Sequence, residues 1–332
     1  MNISKACRIT GTGKYLPGRI VSSVEMEEKL GLPSGWIERF SGVRERHVAN
    51  GETNAEMAVN AINQALKIAG ISADDIDLLI SASVTFDYIL PFQAALILDG
   101  LQSGRTLNTP AMDVNTSCLS FLTALDIASN LLDGKKYSNI VVVSSEVATK
   151  GLNEEDKEVF TLFGDGAAAA ILSYDESMET GVVKSMIKTY TEGFYYSIIK
   201  GGGNVNHIKY HKYDPRIDSF TMEGKKLLRL AKDTLPQYFS EFFSDLDISI
   251  NDVDVIVAHQ ASKAGLEGFR HIYPNLKGEL YYNLDTHGNC IAASIPMCLH
   301  DAIEAGVLKR GHSCMLAGTA AGFAVGSMLI KY

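Results

Sequence analysis

Cys118 occupies a position at which a cysteine can act as a nucleophile. It follows a predicted strand at 111–115 and the turn residues Thr116 and Ser117, and leucines at helical spacing follow it between 119 and 132. This pattern predicts that Cys118 lies at the N-terminus of a helix, where the helix dipole and unpaired N–H groups favour the reactive thiolate. A role as a small buried packing residue is the alternative interpretation.

Two polar residues in the second half of the chain could assist such a nucleophile. His259 ends the apolar run 254–258, which predicts a buried strand. Ligands bind at the carboxyl ends of strands in α/β sheets, so His259 could face a ligand; a hydrogen-bonded core histidine is the alternative. Asn289 lies in the glycine-containing turn 286–289, where an asparagine could also serve only as a turn former.

The elements that must position these side chains alternate between strands and helices, which predicts an α/β fold. Apolar runs such as 139–145 and 254–259 predict buried strands. Residues 54–69 carry apolar side chains at helical spacing, and an earlier helix is expected to begin at Ser22 and to end at Gly31.

The sequence contains a weak internal repeat. ISADDIDLLISAS at 71–83 returns as ISINDVDVIVAHQ at 248–260, and AMDVNTSCL at 111–119 returns as NLDTHGNCI at 283–291. Two similarities in the same order, at nearly the same offset, predict a duplicated α/β unit.

The repeat divides the chain into two expected halves, 1–175 and 176–332. Pseudo-twofold symmetry between them would bring strand ends from both halves to one centre. Cys118, His259 and Asn289 could therefore share a pocket.

Composition excludes several classes of protein. With 46% hydrophobic residues, 21% charged residues and only 8 prolines among 332 residues, the chain has the composition of a well-cored globular protein. The formal charge of -9, from 30 basic and 39 acidic residues, argues against a polyanion-binding surface, so nucleic acid is not expected as a partner. The five cysteines form no CxxC or Cys/His cluster, and we expect neither a disulfide framework nor a metal site.

Neither end of the sequence predicts export or membrane insertion. Residues 1–19 lack the apolar core of a secretory signal and show no transit-peptide pattern, so we expect a cytoplasmic protein. Residues 311–330 contain no Asp, Glu, Lys or Arg and carry a tandem GxxxG pattern, as some membrane helices do. Their small side chains and the lack of a flanking basic cluster favour two buried strands joined by a glycine loop, with no membrane span.

Seven motifs occur in the order and spacing typical of one family. They are GTGKYLP at 11–17, the segment 36–47 ending GVRERH, DVNTSC at 113–118, LFGDGAAAA at 162–170, HQAS at 259–262, HGNCIAASIP at 287–296 and GFAVGS at 322–327. Through them the chain resembles the 3-oxoacyl-[acyl-carrier-protein] synthase III family over essentially its whole length. The resemblance implies a thiolase-like α/β fold, in which two duplicated α/β halves form an αβαβα layered arrangement.

The resemblance also implies an acyltransferase with a Cys-His-Asn triad made of Cys118, His259 and Asn289. Acyl-CoA would acylate Cys118, and malonyl-acyl carrier protein or malonyl-CoA would then condense with loss of carbon dioxide to give a 3-oxoacyl thioester. His259 and Asn289 would donate hydrogen bonds to the enolate oxygen, and the backbone N–H groups of Cys118 and Gly322 would form the oxyanion hole. Coenzyme A and phosphopantetheine thioesters would be the substrates, and no cofactor or metal is expected.

Further positions correspond to substrate or coenzyme A contacts in the family. They are Trp36, Phe40, Leu90, Phe163, Ser262 and Ala264. Trp36, which would stack on adenine, is retained, whereas Phe40 and Ala264 replace arginines. Ser262 replaces an asparagine, and Leu90 replaces a phenylalanine that reaches across the dimer. The loss of these two arginines weakens the expected electrostatic attraction for phosphates or for an acidic carrier protein. We expect a divergent family member whose acyl donor is not acetyl.

Alternative functions remain open at this point. Cys118 could pass its acyl group to an alcohol or amine without condensation, or the chain could be a non-catalytic partner subunit that binds acyl carrier protein. The intact triad favours condensation, in fatty acid biosynthesis or on a specialised pathway such as biotin-precursor or polyketide synthesis. The resemblance further implies a homodimer.

Other conspicuous residues receive structural interpretations. Cys290 is expected to be a packing residue and His287 a turn residue. The Gly-Asp-Gly sequence at 164–166 lacks the Lys-Ser/Thr of a phosphate-binding loop and predicts a tight turn. The segment around the triple glycine 201–203 could be a mobile rim or an ordinary surface loop.

Overall fold

The computed structural model describes residues 1–101 and 108–332, and within them it contains fourteen strands and eleven helices. The strands are β1 (Lys5–Tyr15), β2 (Arg19–Ser22), β3 (Glu45–Val48), β4 (Leu78–Ser81), β5 (Ala111–Asp113), β6 (Asn139–Glu146), β7 (Gly166–Tyr174), β8 (Gly181–Thr189), β9 (Ser197–Ile198), β10 (Thr221–Met222), β11 (Val255–Ala258), β12 (Glu279–Tyr281), β13 (Ser313–Ala320) and β14 (Ala324–Lys331). The helices are α1 (Ser23–Leu30), α2 (Trp36–Ser41), α3 (Asn54–Ala69), α4 (Gln93–Gly100), α5 (Ser120–Leu131), α6 (Lys157–Phe160), α7 (Pro215–Asp218), α8 (Gly224–Phe243), α9 (Lys263–Ile272), α10 (Leu284–His287) and α11 (Ser294–Glu304).

Ten strands are hydrogen-bonded in the order β12-β11-β13-β14-β8-β1-β7-β6-β4-β5. Read outward from the centre, this order contains the same five-strand pattern twice. In each half three outer strands are parallel and two inner strands are antiparallel. The halves meet where Lys5 and Ala6 of β1 pair with β8. The predicted duplicated α/β fold is therefore confirmed.

The helices separate the two halves of the sheet into layers. Helices α5 and α11 pack between the halves, while α3 and α4 cover one outer face and α8 and α9 cover the other. The strands that lie between two helix layers consequently have both faces buried. In β6, for example, Val141 and Val143 face the α3 side whereas Ile140 and Val142 face the central helices, which explains its unbroken apolar run.

Local signals in the two halves also correspond. Ser72 and Ser249 begin equivalent short helical turns, each with a reciprocal capping box. Gly134 and Gly306, which follow α5 and α11, have φ angles of 67° and 66°. Left-handed backbone favours glycine, so the matching glycines reflect matching chain reversals.

Several predicted elements form at the expected residues. Helix α3 spans Asn54–Ala69 after a capping box at Thr53, and α1 begins after Ser22, whose hydroxyl accepts the amide of Glu25 at 3.1 Å. The uncharged segment 311–330 forms the antiparallel strands β13 and β14, as predicted. In the part of the chain that the structure describes, no helix is long and apolar enough to cross a membrane.

Candidate active site

Cys118 lies two residues before α5, after the turn that follows β5. Burial of the thiol raises its pKa to about 12, and the nearby carboxyl of Glu146 acts in the same direction. Hydrogen bonds from the backbone N–H groups of Ala321 and of Cys118 itself lower the pKa, but by less. Burial therefore outweighs the two hydrogen bonds, and a pKa this high favours the neutral thiol in the free site.

The amide that reaches the sulfur from the second half of the chain is that of Ala321. The sequence analysis named Gly322, one residue later, for this position. Gly322 has a φ of 83° in the short connection between β13 and β14, a conformation that favours glycine. Gly322 therefore forms the turn and the amide of Ala321 lies near the sulfur, while the oxyanion-hole role of Gly322 stays a prediction.

His259 follows β11 and lies deep in the molecule, with 6% of its surface exposed. Its backbone amide donates to the carbonyl of Ala317 on β13 over 2.8 Å. Burial lowers the pKa of its imidazole to about 4, so the side chain is neutral near pH 7. Within the described residues, Nδ1 has no hydrogen-bond partner.

Gly318 on β13 allows His259 to approach the segment that carries the nucleophile. A Cβ atom at Gly318 would lie 2.8 Å from Cβ of His259 and 3.3 Å from Cδ2 of Leu119, the residue after Cys118. Any larger residue would force these neighbours apart. The glycine therefore lets the end of β11 and the start of α5 meet across one strand.

Asn289 is held by the backbone of the LFGDG segment. Its amide donates to the carbonyl of Leu162 at 2.9 Å, and its carbonyl accepts the amide of Gly164 at 3.2 Å. The side-chain oxygen accepts the amide of Ile291 at 2.9 Å, and Nδ2 donates to the carbonyl of Ala261 at 3.4 Å. Because an amide nitrogen carries two hydrogens, Nδ2 keeps one donor for a ligand.

Backbone contacts connect the segments that carry the three residues predicted to form the triad. Ala261, which contacts Asn289, lies two residues after His259, and Ala317, which holds His259, lies four residues before Ala321. Ala321 in turn donates to the sulfur of Cys118. Backbone hydrogen bonds near the ends of β11 and β13 thereby connect the segments that carry a neutral thiol, a neutral imidazole and a carboxamide.

A partly buried ion pair lies behind the Asn289 turn. Nζ of Lys14 is 2.5 Å from Oδ1 of Asp301 and 3.0 Å from Nε2 of His287. Because an ammonium only donates, Nε2 of His287 must accept, and the ring proton is on Nδ1, 2.7 Å from the hydroxyl of Thr286. Burial and the neighbouring ammonium of Lys14 hold the pKa of His287 below its ordinary value.

Hydrogen bonds connect this ion pair with the segment that carries His259. Asn283 donates from Nδ2 to Oδ2 of Asp301 at 2.8 Å, and its amide donates to the side chain of Gln260 at 3.3 Å. Gln260 is fully buried and adjoins His259 in the sequence. One polar network therefore supports both residues that could donate to a substrate oxygen.

Glu146, at the end of β6, connects the nucleophile with the Asn289 turn. Its carboxyl accepts the amides of Val84 and Thr85 at 2.8 and 2.9 Å and the hydroxyl of Thr85 at 2.6 Å. It also receives a hydrogen bond from the amide of Ala292. Complete burial nevertheless raises the pKa of this carboxyl to about 7.

Backbone strain is concentrated at the same place. Of the four described non-glycine residues with positive φ, Ser117, Ile291 and Phe323 have angles of 55°, 48° and 48°. They lie one residue from Cys118, two from Asn289 and two from Ala321, respectively. Side-chain-bearing residues adopt this conformation at a cost, and such strain clusters at functional sites.

Two of the predicted substrate positions form an aromatic surface near the N-terminus of α9. The rings of Trp36 and Phe40 stack with centroids 4.9 Å apart and an angle of 10°. Their helix, α2, contacts α9, whose N-cap is Ser262; the hydroxyl of Ser262 accepts the amide of Gly265 at 3.2 Å. Ala264 lines a cavity that reaches His259.

The other two substrate positions are placed differently. Phe163 is buried against Phe220, with ring centroids 5.5 Å apart, and its backbone pairs with that of Asn289. It therefore supports the asparagine turn. Leu90 is 82% exposed in an apolar loop, so its side chain is not packed into the site of its own chain.

The residues interpreted as structural occupy ordinary supporting positions. Cys290 is fully buried, and all five cysteines carry free thiols. Asp165 of the Gly-Asp-Gly turn accepts the amides of Ala49 and Thr149 at 2.8 and 2.9 Å, which holds three segments together. Across residues 1–101 and 108–332, no group of His, Cys, Asp and Glu side chains is arranged to hold a metal ion.

Sequence reasoning missed Glu146, Ala321 and the pair formed by Lys14 and Asp301. Glu146 carries the clearest signal, because a carboxylate ending the apolar run 139–145 stands at a strand end where ligands bind. The other three are ordinary residues whose roles depend on long-range contacts. A helix position such as Asp301 does not reveal its partner on β1.

The amino-acid sequence matches models of a known protein family and is similar to known proteins of that family. Residues 112–191 match the family model described as 3-Oxoacyl-[acyl-carrier-protein (ACP)] synthase III, and residues 243–332 match its C-terminal model. The chain is 31% identical to beta-ketoacyl-[acyl-carrier-protein] synthase III of Vesicomyosocius okutanii, over 99% of this chain and 100% of the relative. It is 32% identical to the Coxiella burnetii protein of the same name, over 98% of both chains.

A solved structure shows the same architecture. The crystal structure of 3-oxoacyl-[acyl-carrier-protein] synthase III from Aquifex aeolicus superposes with a TM-score of 0.87 and 26% identity, covering 98% of this chain and 100% of the other. The likeness therefore extends over both halves of the molecule and includes all the strand ends described above.

Proposed function

The chain belongs to the 3-oxoacyl-[acyl-carrier-protein] synthase III family, and we propose that its reaction proceeds through an acyl group carried on Cys118. As a member of this family, with a thiolase-like fold, it is a condensing enzyme that transfers acyl groups. The observation that carries the proposal is the position of the Cys118 thiol, which lies near the backbone amides of Cys118 and Ala321 and next to Leu119, the residue that meets His259 across Gly318.

In the first proposed step, an acyl-CoA transfers its acyl group to Cys118. The sulfur attacks the thioester carbonyl, the bond to coenzyme A breaks, and the thiol proton leaves with the coenzyme A thiol. The amides of Cys118 and Ala321 already point at the sulfur, so they are suited to donate to the oxyanion that forms next to it.

In the second proposed step, malonyl-acyl carrier protein loses carbon dioxide and supplies the attacking carbon. The electron pair of the broken carbon–carbon bond passes into an enolate, whose oxygen needs hydrogen-bond donors. His259 is neutral and Asn289 keeps a free N–H, so both can donate without a change of charge. The enolate carbon attacks the acyl carbonyl and displaces the Cys118 thiolate, which takes up a proton from solvent. The atoms balance without a metal ion or redox cofactor, and we propose none.

A basic face on α8 supports a carrier-bound acceptor. Lys225, Arg229 and Lys232 are exposed and lie at spacings of four and three residues, so they share one side of the helix. Lys232 also lines the cavity that reaches His259. In a chain of net charge -9, this local positive surface suits an acidic carrier protein and compensates for the arginines absent at Phe40 and Ala264.

An exposed apolar loop supports a homodimer. Ile89 and Leu90 are 78% and 82% exposed, and Phe86, Tyr88 and Phe92 beside them are also exposed. Contiguous exposed apolar surface of this kind marks an interaction site. The five free thiols suit a reducing compartment, and we propose a cytoplasmic enzyme.

The proposed reaction can be tested in two measurements. Incubation with acyl-CoAs of increasing chain length, followed by the mass of the Cys118 peptide, identifies the acyl donor; adducts from acetyl-CoA alone would contradict the proposed non-acetyl donor. Carbon dioxide release from malonyl-acyl carrier protein in the presence of acylated enzyme then separates condensation from transfer to an alcohol or amine, because the latter releases none.

A further inference from the structure

A cavity of about 540 Å³ lies between α8 and α9 and ends at the reacting centre. His259, Gly318 and Thr319 form its inner end. Protein interiors are close-packed, so an unfilled space of this size beside a functional histidine is unusual, and its volume lies within the range of ligand pockets.

The walls of the cavity are apolar and come from both helices. Leu228, Ala231 and Leu235 line it from α8 at spacings of three and four residues, and Phe269 and Ile272 line it from α9. An apolar ligand would therefore be enclosed along its length by side chains that cannot hydrogen-bond to it.

Small residues on α9 keep the space open. A Cβ atom at Gly268 would meet only Cδ1 of Leu228, at 3.8 Å, and one at Gly265 would meet the hydroxyl of Ser262 at 3.5 Å. Both glycines thus have room for a side chain, and larger residues at these positions would occupy the cavity. Glycine also weakens a helix relative to alanine, so the open space costs stability.

Few polar groups line the cavity. Lys232, Glu267 and His271 are the other ionisable side chains among the described residues that line the cavity, while the inner end has the neutral His259 and the hydroxyl of Thr319. A matching ligand has a long apolar body and a polar group at the inner end. A thioester with a fatty acyl chain has this shape.

We propose that this cavity holds the fatty acyl chain of a thioester substrate, with the thioester at His259. The inference rests on the proposed function and extends it to a substrate class, namely thioesters with chains long enough to fill the space between α8 and α9. The fatty acyl chain can be part of the donor that acylates Cys118, or part of the second thioester, which reacts with the acylated cysteine.

The cavity can be filled from either wall. Gly268→Leu and Ala231→Leu each introduce an apolar side chain into the cavity without a buried polar group or a helix-breaking residue. Ser240→Leu adds the same side chain to the exposed surface of α8, outside the cavity, and is the matched control. Circular dichroism and thermal unfolding of all three verify that each variant is folded.

Binding is measured first in the Cys118→Ala background, where no acyl transfer can occur. We expect dodecanoyl-CoA to bind at least about tenfold more tightly than acetyl-CoA, and Gly268→Leu or Ala231→Leu to remove that preference while Ser240→Leu keeps it. Equal affinity for the two thioesters, or a preference that survives both filled variants, would overturn the inference.

Acylation of Cys118 in the otherwise unchanged enzyme distinguishes the two sources of the chain. If cavity filling slows acylation by dodecanoyl-CoA but not by acetyl-CoA, the chain belongs to the donor. If acylation is unchanged while the binding preference is lost, it belongs to the second thioester. Failure of every acyl-CoA to acylate Cys118 would instead refute the proposed function, since the binding measurement does not depend on that step.

Discussion

Nζ of Lys14, on β1, lies 3.0 Å from Nε2 of His287, two residues before Asn289. The same ammonium pairs with Asp301 on α11. Burial, assisted by the ammonium of Lys14, lowers the pKa of His287 and keeps it neutral, and the contact with Lys14 fixes its tautomer. A contact between the N-terminal half of the chain and the asparagine turn thus controls the charge state behind the active site.

Replacing this ammonium should therefore change how His287 titrates. In Lys14→Met, Asp301 keeps its negative charge beside the imidazole while burial still acts, so we expect the pKa of His287 to rise from about 4 toward its ordinary value of 6.5. NMR titration of labelled histidines measures this directly, and Lys14→Arg should retain the low pKa. A low His287 pKa in Lys14→Met would show that burial alone, without Lys14, is sufficient.

The stability of Lys14→Met should depend on pH in a defined direction. The folded pKa of His287 lies below its unfolded value, so the wild type loses stability as pH falls below about 6.5, and Lys14→Met should lose less because its folded pKa is closer to the unfolded value. We expect a loss of about 2 to 3 kcal/mol at pH 8 and a smaller loss at pH 5, from urea unfolding of variant and wild type. The same loss at both pH values would show that His287 does not gain a proton in place of the lost ammonium of Lys14.

Gly164 should be required for the close contact with the asparagine turn. A Cβ atom there would lie 2.2 Å from the carbonyl oxygen of His287, which is backbone and cannot rotate away. We expect Gly164→Ala to cost about 1 to 3 kcal/mol in the free energy of unfolding and to reduce condensation. Gly151→Ala, whose Cβ would meet no atom within 4 Å, is the control. Equal stability of the two variants would contradict the proposed packing.

Glu146 should make the folded state less stable as pH rises. Its pKa is about 7 when buried, against an ordinary value of 4.5, so between these values the folded protein binds more protons than the unfolded chain. At about 1.4 kcal/mol for each pH unit, wild type should lose about 3 kcal/mol relative to Glu146→Gln between pH 4.5 and pH 8. Parallel stability curves for the two proteins would show that Glu146 does not titrate in this range.

Asn289 should serve condensation but not acylation. Its free N–H is proposed to donate to the enolate oxygen, which forms only after Cys118 has been acylated. We expect Asn289→Ala to lower condensation by about 100-fold or more, with the rate of Cys118 acylation nearly unchanged. Asn60→Ala, on the exposed surface of α3, should affect neither step. An equal loss in both half-reactions would argue for a structural role.

The sequence was sufficient for the overall architecture because its signals are local or repeated. The paired motifs at 71–83 and 248–260, and Gly134 with Gly306, correspond to equivalent elements in the structure. Apolar runs predicted the buried strands because both faces of the inner strands are covered. The resemblance to the family supplied what spacing could not, namely which polar residues belong to one site.

The remaining features depend on distances that no local pattern encodes. The resemblance implied Gly322 for the oxyanion hole, whereas the amide near the Cys118 sulfur is that of Ala321, a contact that depends on the φ angles of the turn. It predicted a favoured thiolate because the helix terminus is visible in the sequence, whereas the burial that raises the pKa of Cys118 is not. The contacts of Lys14 with His287 and Asp301 join residues more than 270 positions apart.

The most direct test of the central claim is the mass of the intact protein after incubation with a panel of acyl-CoAs. We expect wild type to gain the mass of one acyl group and to lose it when malonyl-acyl carrier protein is added, and we expect Cys118→Ala to remain unchanged throughout. An acyl adduct of the same mass on Cys118→Ala, or condensation by that variant, would contradict the assignment of Cys118 as the nucleophile.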